Sequence, residues 1–306
     1  MKISIIGRSE LMFESIQLLR QAGHEIVCVV TAKAAPEYTK TESDFKSLAA
    51  ELNVPFAITP TIKSAYDLLL NAGAEVGVSV NYSGIIPEAI TDLFPLGILN
   101  AHGGDLPRYR GNACQAWAIL NGEERVGLCI HKMIGGELDN GDIIARDYLP
   151  INSATKVTAI WNWMQNRIPA LFVNAINNLS ADRGYVLEVQ SKNPAAALRC
   201  YPRIPDDGKI DWNSDVHSVL RLINASNLPY SGAFCYLKDK KIIIWDAEIG
   251  VHEGRFLAVP GQIVFAGEGV VHVACGRGIL YLREIESEGV ICKPDTMIKS
   301  IRIRLR

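Results

Sequence analysis

The sequence predicts an α/β chain in two parts: a doubly wound, Rossmann-like sheet over residues 1–182 and a smaller β domain over 206–306, joined by a linker at 183–205. Three observations carry this expectation. In the first half, short apolar runs alternate with helical periodicity, the mark of a parallel α/β unit. After about residue 205 the pattern changes to short strands separated by turn residues. A length of 306 residues also corresponds to roughly two domains of ordinary size.

Ile3–Gly7 is an apolar run ending in glycine, followed by a helical pattern through Leu11, Ile16, Leu18 and Leu19 that stops at Gly23. Glu25–Val30 is the next strand. Lys46–Leu52 reads as a helix entered through Ser43 or Asp44 as N-cap and ending before Val54-Pro55. Tyr66–Ala72 is a further helix, Val76–Val80 a buried strand, Ile98–His102 a strand running into Gly103-Gly104, and Gly127–Met133 an alternating strand. In doubly wound sheets ligands sit beyond the carboxyl ends of the strands, so the loops after Val80, Asn100 and Met133 are expected to open on one edge. Lys156–Leu179 forms a long amphipathic helix with a break expected near Pro169. Beyond the linker, a helix at Ser214–Ala225 precedes strands at Gly232–Leu237, Lys241–Trp245, Gly261–Phe265, Val270–Ala274 and Gly278–Glu284, which suit a small barrel or sandwich.

Composition narrows the function. Hydrophobic residues make up 48% and charged residues 21%, enough to bury a core without staples. A net charge of -2 supplies no global field toward nucleic acid or acidic lipid. The seven cysteines are dispersed without a CxxC pair, so neither a disulfide framework nor a zinc site is expected. The N-terminal apolar run is too short for a signal peptide, and no stretch approaches the roughly 20 apolar residues that span a bilayer. A cytoplasmic protein with no membrane partner is expected. Gly7-Arg8-Ser9 lacks the spacing of a dinucleotide fingerprint.

The chemistry concentrates in two segments. Leu99-Asn100-Ala101-His102-Gly103-Gly104-Asp105-Leu106-Pro107-Arg108-Tyr109-Arg110-Gly111 puts an amide and an imidazole on the same side of a strand end. Gly135-Gly136-Glu137-Leu138-Asp139-Asn140-Gly141-Asp142 is a glycine-flanked acidic loop after the next strand. An amide, an imidazole and a carboxylate meeting at a sheet edge suit acyl transfer to a neutral nucleophile: the amide donates to an oxyanion, the imidazole moves a proton, and the carboxylate orients it. No serine or cysteine is expected where a covalent nucleophile is needed. The same residues read singly also fit a hydrogen-bonded structural histidine, an ordinary turn, or a metal site.

Together the segments resemble the folate-dependent formyltransferase family, whose pattern is Asn-x-His, then Gly-Ser-Leu-Leu-Pro-x-x-Arg-Gly, then a later Asp followed by Gly. Here these are Asn100 and His102, Leu106 to Gly111, and Leu138-Asp139-Asn140-Gly141-Asp142. The resemblance implies Asn100, His102 and Asp139 as the catalytic trio, 10-formyltetrahydrofolate as co-substrate, and no metal. It further implies that Gly84, Ile85 and Ile86, within Asn81–Pro87, and Gly135, Gly136, Glu137, Leu138 and Asp139 hold the pterin, largely through backbone groups. Asp142 is a lesser candidate. Gly104-Asp105 stand where the family has Ser-Leu, which bears on how that loop packs, and Asn112 stands where some relatives carry a basic residue. The resemblance extends through Arg203–Trp212, Trp245-Asp246-Ala247, Pro260–Val264 and Ala274–Leu280, implying an OB-like C-terminal barrel and not the single-domain purine enzyme.

The expected acceptor is the amine of a nucleotide-linked amino sugar, such as a dTDP- or UDP-4-amino-deoxysugar. Relatives that act on initiator tRNA share a long basic loop soon after the second strand. Here Thr31–Lys46 is short, and Lys33, Lys40 and Lys46 are balanced by Glu37, Glu42 and Asp44. The basic tail Lys299, Arg302, Arg304 and Arg306 reads as a solvated face. The stretch Arg203-x-Pro-Asp-Asp to Trp212 looks like the amino-sugar branch. Methionyl-tRNA formylation and formyltetrahydrofolate hydrolysis are the alternatives, and an inactive folate- or carbohydrate-binding protein is the reading from another class. Family habit and near-neutral charge suggest a homodimer.

Overall fold

A computed structural model describes residues 1–251 and 256–306. Two compact units emerge: Met1–Cys114, Val126–Leu149 and Trp161–Tyr201 form the first, and Gln115–Arg125, Pro150–Ile160 and Pro202–Arg306 the second. The second therefore takes in two stretches that lie before residue 182.

The first unit is built on β1 (Lys2–Gly7), α1 (Ser9–Gln21), β2 (Glu25–Thr31), α2 (Glu42–Glu51), β3 (Phe56–Ile58), α3 (Tyr66–Ala72), β4 (Val76–Val80), α4 (Glu88–Thr91), β5 (Ile98–His102) and β6 (Tyr109–Gly111). After α5 (Cys114–Leu120) come β7 (Arg125–Lys132), β8 (Ile143–Pro150), α6 (Val157–Ala181) and β9 (Leu198–Cys200). Seven strands form one sheet in the order β3-β2-β1-β4-β5-β7-β8. β1 to β5 pair in parallel. β4 is buried along its whole length, as strands covered on both faces must be. Ile6, Val30, Ile86, Ile90 and Ile98 share one of the cores beside the sheet.

Three local expectations are corrected. α2 begins at Glu42 with Thr41 as N-cap. Asp44 sits at the third helical position, where its carboxylate accepts the Thr41 N–H at 2.8 Å, the reciprocal half of a capping box. α6 runs unbroken through Pro169; Ile168, Leu171, Phe172, Ala175 and Ile176 continue one buried face, and burial of that face outweighs the local cost of proline. The stretch read as a linker carries β9, which pairs in parallel with β6. Within it Gln190, 1% exposed, accepts from Arg110 and donates to the Gly141 carbonyl.

In the second unit α7 (Val216–Ala225) starts at Asp215, whose side chain accepts the His217 and Ser218 N–H groups. The strands are β10 (Ala233–Leu237), β11 (Lys240–Gly250), β12 (Ile263–Gly267), β13 (Val270–Ala274), β14 (Ile279–Ser287) and β15 (Val290–Cys292). They form an antiparallel sheet ordered β10-β11-β14-β13-β12, with β15 on β14. The chain end bridges the two outer strands of that order. Tyr236 and Arg306 exchange backbone hydrogen bonds at 2.7 and 2.9 Å, Leu305 N–H reaches Gly261 O at 2.8 Å, and Ile263 N–H reaches Ile303 O at 3.2 Å. So the basic tail is a structural strip of alternating character: Leu305 is buried among the core residues of α7 and the sheet, while Arg304 and Arg306 face solvent. Closing the two edges removes free strand surface. Arg203 and Trp212 also serve this unit's interior, Arg203 donating to Ala225 O and Ser226 Oγ and Trp212 lying in the core.

Leu305→Ala is expected to destabilise the full chain by about 2–5 kcal/mol, the usual range for a buried leucine. An unchanged urea midpoint would show that the tail does not close the barrel.

Candidate active site

β5 and β7 are antiparallel, with Asn100 opposite His131 and His102 opposite Cys129. Directly paired residues share a face, so this face collects Asn100, His102 and His131 from two adjacent strands. The reversed direction of β7 also corrects an expectation. Lys132 lies beside Leu99 and Met133 N–H bonds Ile98 O at 2.7 Å, so the next loop leaves from the amino end of β5, opposite the loops after Val80 and Asn100. It then folds back, and Lys132 N–H meets Asp142 O at 2.8 Å, which brings Asp139 to the histidines. Asp139 takes a left-handed backbone, φ +47°, a conformation Asp tolerates better than most residues.

The Asp139 carboxylate is 11% exposed and faces three groups. Oδ2 accepts the Gly111 N–H at 2.8 Å and lies 3.4 Å from His102 Nδ1. Oδ1 lies 3.5 Å from His131 Nε2. Burial alone would raise the Asp139 pKa, but the charge of His102, the hydrogen bond from His131 and the Gly111 N–H together outweigh it and hold the carboxyl below the ordinary carboxylate range. The trio named from sequence is thus assembled, although Asn100 meets Asp139 only through His131, whose Nε2 lies 3.1 Å from Asn100 Nδ2. His131, 1% exposed, was missed. The available signal was its place in an alternating strand, in register with Asn100, and register with a non-local strand is not visible in one sequence.

The loop after His102 packs onto that imidazole. His102 Nε2 donates to the Tyr109 carbonyl at 2.6 Å. A Cβ at Gly104 would lie 2.5 Å from both atoms of this bond, so the departure to glycine here is what lets the carbonyl in. Asp105, the other departure, is neutralised by Arg146 at 2.6 Å and accepts the Tyr148 hydroxyl at 3.1 Å. Contrary to expectation, a cysteine does approach: Cys114 Sγ is 3.7 Å from His102 Nε2. Its interaction with Cys200 and its burial push the thiol far up, so it stays a neutral thiol, poorly suited to be a nucleophile.

Of the residues expected to hold the pterin, Gly84 and Ile85 are exposed, whereas the Ile86 side chain belongs to the core. The Ile86 carbonyl accepts the Gly136 N–H at 3.0 Å, and Gly135 packs against the Glu88 backbone so closely that a Cβ would lie 2.2 Å from its Cα. The two glycine-bearing segments therefore adjoin. Glu137 accepts from Asn140 at 2.5 Å, Leu138 is half-buried, and Asp142 accepts the Gln190 N–H at 3.0 Å, tying this loop to a distant segment. Among the described residues no His, Cys, Asp and Glu group is arranged to hold a metal ion.

The face of the Rossmann-like sheet thus carries a carboxamide and two imidazoles, with a buried carboxylate brought beside them by the following loop. The chain belongs to the formyltransferase family: residues 1–176 match the formyl transferase model and residues 204–302 the formyl transferase C-terminal domain. Its formyl donor is a formyl-tetrahydrofolate. A methionyl-tRNA formyltransferase of Acinetobacter baumannii is 30% identical over 288 residues, covering 90% of this chain and 89% of that protein. An N-formyltransferase from Helicobacter canadensis, solved with folinic acid and dTDP-3-aminofucose, superposes with a TM-score of 0.66 at 17% identity, covering 92% of this chain and 98% of that one. HypX from Aquifex aeolicus, solved with tetrahydrofolic acid, gives a TM-score of 0.64 at 17% identity over 98% of this chain, which spans 47% of HypX. The two solved structures show the shared fold.

Two outcomes are expected. Gly104→Ala should lower turnover at least about tenfold by displacing the His102 imidazole, while normal turnover would show that the close approach is dispensable. The depressed Asp139 pKa favours the folded state above the unfolded value of about 3.9 and loses this effect as pH falls through the folded pKa. The stability gap between wild type and Asp139→Asn, read by chemical denaturation, should thus be widest above about pH 4 and close below it.

Proposed function

We propose that the chain transfers the formyl group of 10-formyltetrahydrofolate to the amine of a nucleotide-linked amino sugar, with Asn100, His102 and Asp139 as the catalytic residues. The observation that carries the acceptor is the loop after β2. It is short and held down: Glu10 accepts from the Thr39 N–H and hydroxyl at 3.0 and 3.3 Å. Arg8 donates to Lys33 O at 2.6 Å and lies 5.4 Å over the Tyr38 ring, and Lys40 pairs with Asp44 at 3.6 Å. An enzyme for tRNA must neutralise several phosphates, and this loop has its cations compensated within a chain of net charge -2. The structural neighbour solved with dTDP-3-aminofucose supports the same choice. A second reading, formylation of methionyl-tRNA, is favoured by the 30% identity over 90% of the chain to the Acinetobacter enzyme.

In the chemistry, the acceptor amine attacks the formyl carbon as a neutral nucleophile. Asn100 donates an amide N–H to the formyl oxygen as negative charge gathers there. His102 acts from Nε2, because its Nδ1 faces Asp139, and the substrate takes the place of the Tyr109 carbonyl. Asp139 fixes the ring and stabilises its charged form as the amine proton passes toward the departing folate nitrogen. The pterin lies along Gly84–Ile86 and Gly135–Asp139, with donor and acceptor groups drawn mainly from their backbone.

His102→Ala should keep its circular dichroism spectrum, with a melting temperature lowered by the loss of a partner to the buried Asp139 carboxylate, while turnover falls by about 10²–10⁴. Wild type with 10-formyltetrahydrofolate, a panel of amino-sugar nucleotides and charged initiator tRNA should add one formyl mass to a sugar. Formylated tRNA with no formylated sugar would establish the second reading instead, and folate release without either product would mean hydrolysis.

A further inference from the structure

We infer that Cys200 and Cys114 form a reversible disulfide beside the site, so that a hydroperoxide switches formyl transfer off and a dithiol restores it. The effect on turnover rests on the role assigned above to His102; formation of the disulfide does not. The fold brings the two cysteines together by pairing β6 with β9, Gly111 in register with Cys200. The Asn112 N–H meets the Cys200 carbonyl at 3.1 Å. Ala113 takes a left-handed backbone, φ +51°, and Cys114 returns to this ladder with its Sγ 3.5 Å from the Gly111 carbonyl. There the two thiols are hydrogen-bonded to each other. Both residues are buried, but Arg199 and Tyr201, on either side of Cys200, are exposed. The pair lies just beneath the surface.

The two sulfurs differ in reactivity. The hydrogen bond from Cys114 and the charge of Arg199 hold the Cys200 thiol below the ordinary cysteine range, whereas burial pushes the Cys28, Cys235 and Cys275 thiols up to about 12. The thiolate is the nucleophilic form, so Cys200 is the sulfur that attacks. It takes one oxygen of a hydroperoxide; the O–O bond breaks, the other oxygen leaves with a proton as an alcohol, and Cys200 becomes a sulfenic acid. Cys114 is held as a neutral thiol first by its hydrogen bond to Cys200, then by burial and by the Cys200 charge. Oxidation of Cys200 removes that charge and releases Cys114. Its sulfur then attacks the sulfenic sulfur, and its proton departs with the hydroxyl as water. Two thiols and one hydroperoxide give one disulfide, one alcohol and one water.

Exchanging a thiol contact for a covalent bond draws the Cys114 sulfur toward β9 and removes its S–H. That sulfur stands 3.7 Å from His102 Nε2 and 3.5 Å from the Tyr109 carbonyl. Gly111, beside Cys200 on the ladder, gives its N–H to Asp139 at 2.8 Å. The disulfide therefore pulls on contacts that set both the imidazole and the carboxylate.

The test titrates the reduced full chain, freed of reductant, with hydrogen peroxide and then digests it without reduction. A linked Cys114–Cys200 peptide, two hydrogens lighter than the reduced pair, is expected. Turnover with the acceptor identified by the panel above should fall at least about tenfold and return with dithiothreitol. Cys200→Ser should match wild-type turnover when reduced and keep it through the same peroxide dose. Absence of the linked peptide, or an equal peroxide loss in Cys200→Ser, would overturn the inference. A linked peptide with unchanged turnover would overturn the switch. Normal turnover in His102→Ala would instead sink the reading of His102, and the peptide map would still decide whether the disulfide forms. Melting curves identify a variant that has lost its fold; Cys200→Ala then replaces Cys200→Ser in the same titration.

Discussion

A single buried carboxylate organises this site. Asp139 takes the Gly111 N–H on one oxygen, sets that same oxygen toward His102, and sets the other toward His131. Burying a carboxylate is costly unless its lone pairs are matched. Here three neighbours from three segments meet it, and their combined pull keeps it ionised despite desolvation. Everything else in the constellation answers to that charge. It fixes which nitrogen of His102 faces it and leaves Nε2 toward the Tyr109 carbonyl. It ties the loop after β5 to the loop after β7. It also supplies a counter-charge for the His102 imidazole.

The surrounding fold exists to bring those segments together. Reversal of β7 against β5 puts His131 beside Asn100 and makes the acidic loop double back over the sheet. Gln190, from the stretch expected to be a linker, bonds both the Gly141 carbonyl and Arg110, so one buried amide spans the two loops that flank Asp139. Arg146 of β8 does similar work lower down, bonding Asp105 and the Leu106 carbonyl. With these struts the Tyr109 carbonyl reaches His102, and the missing side chain at Gly104 gives it room. That bond takes up the Nε2 proton of the imidazole.

Much of this could be read from the residues themselves. The strand, glycine, helix alternation announced the parallel sheet, Tyr66–Ala72 and Val76–Val80 were legible to the residue, and Asn100 and His102 were recognisable because a period of two puts them on one side. What remained hidden was non-local. Whether β7 runs with or against β5 depends on pairing, and the hydrophobic pattern of a buried strand is the same in both directions. His131 looked like one more residue in an alternating strand for the same reason. Lys299, Arg302, Arg304 and Arg306 dominate the tail and give it the look of a charged face, while only Ile303 and Leu305, two residues apart, mark the side that packs on the core. Gln190 lay in a weakly periodic stretch whose order comes entirely from partners elsewhere. The Arg203–Trp212 stretch, taken as a sign of acceptor class, turns out to support the interior of the second unit.

The site therefore depends on Asp139 being an ionised, buried hub and not an ordinary turn aspartate. The most direct measurement is the carbon chemical shift of the Asp139 carboxyl in isotopically labelled protein, followed through an acid titration and assigned by comparison with Asp139→Asn. This carboxyl is expected to remain ionised through the range where ordinary aspartates titrate, near pH 4, and to take up its proton only at lower pH, together with loss of the native fold. Titration at an ordinary aspartate value, with the fold intact, would contradict it and would return Asp139 to the role of a loop residue.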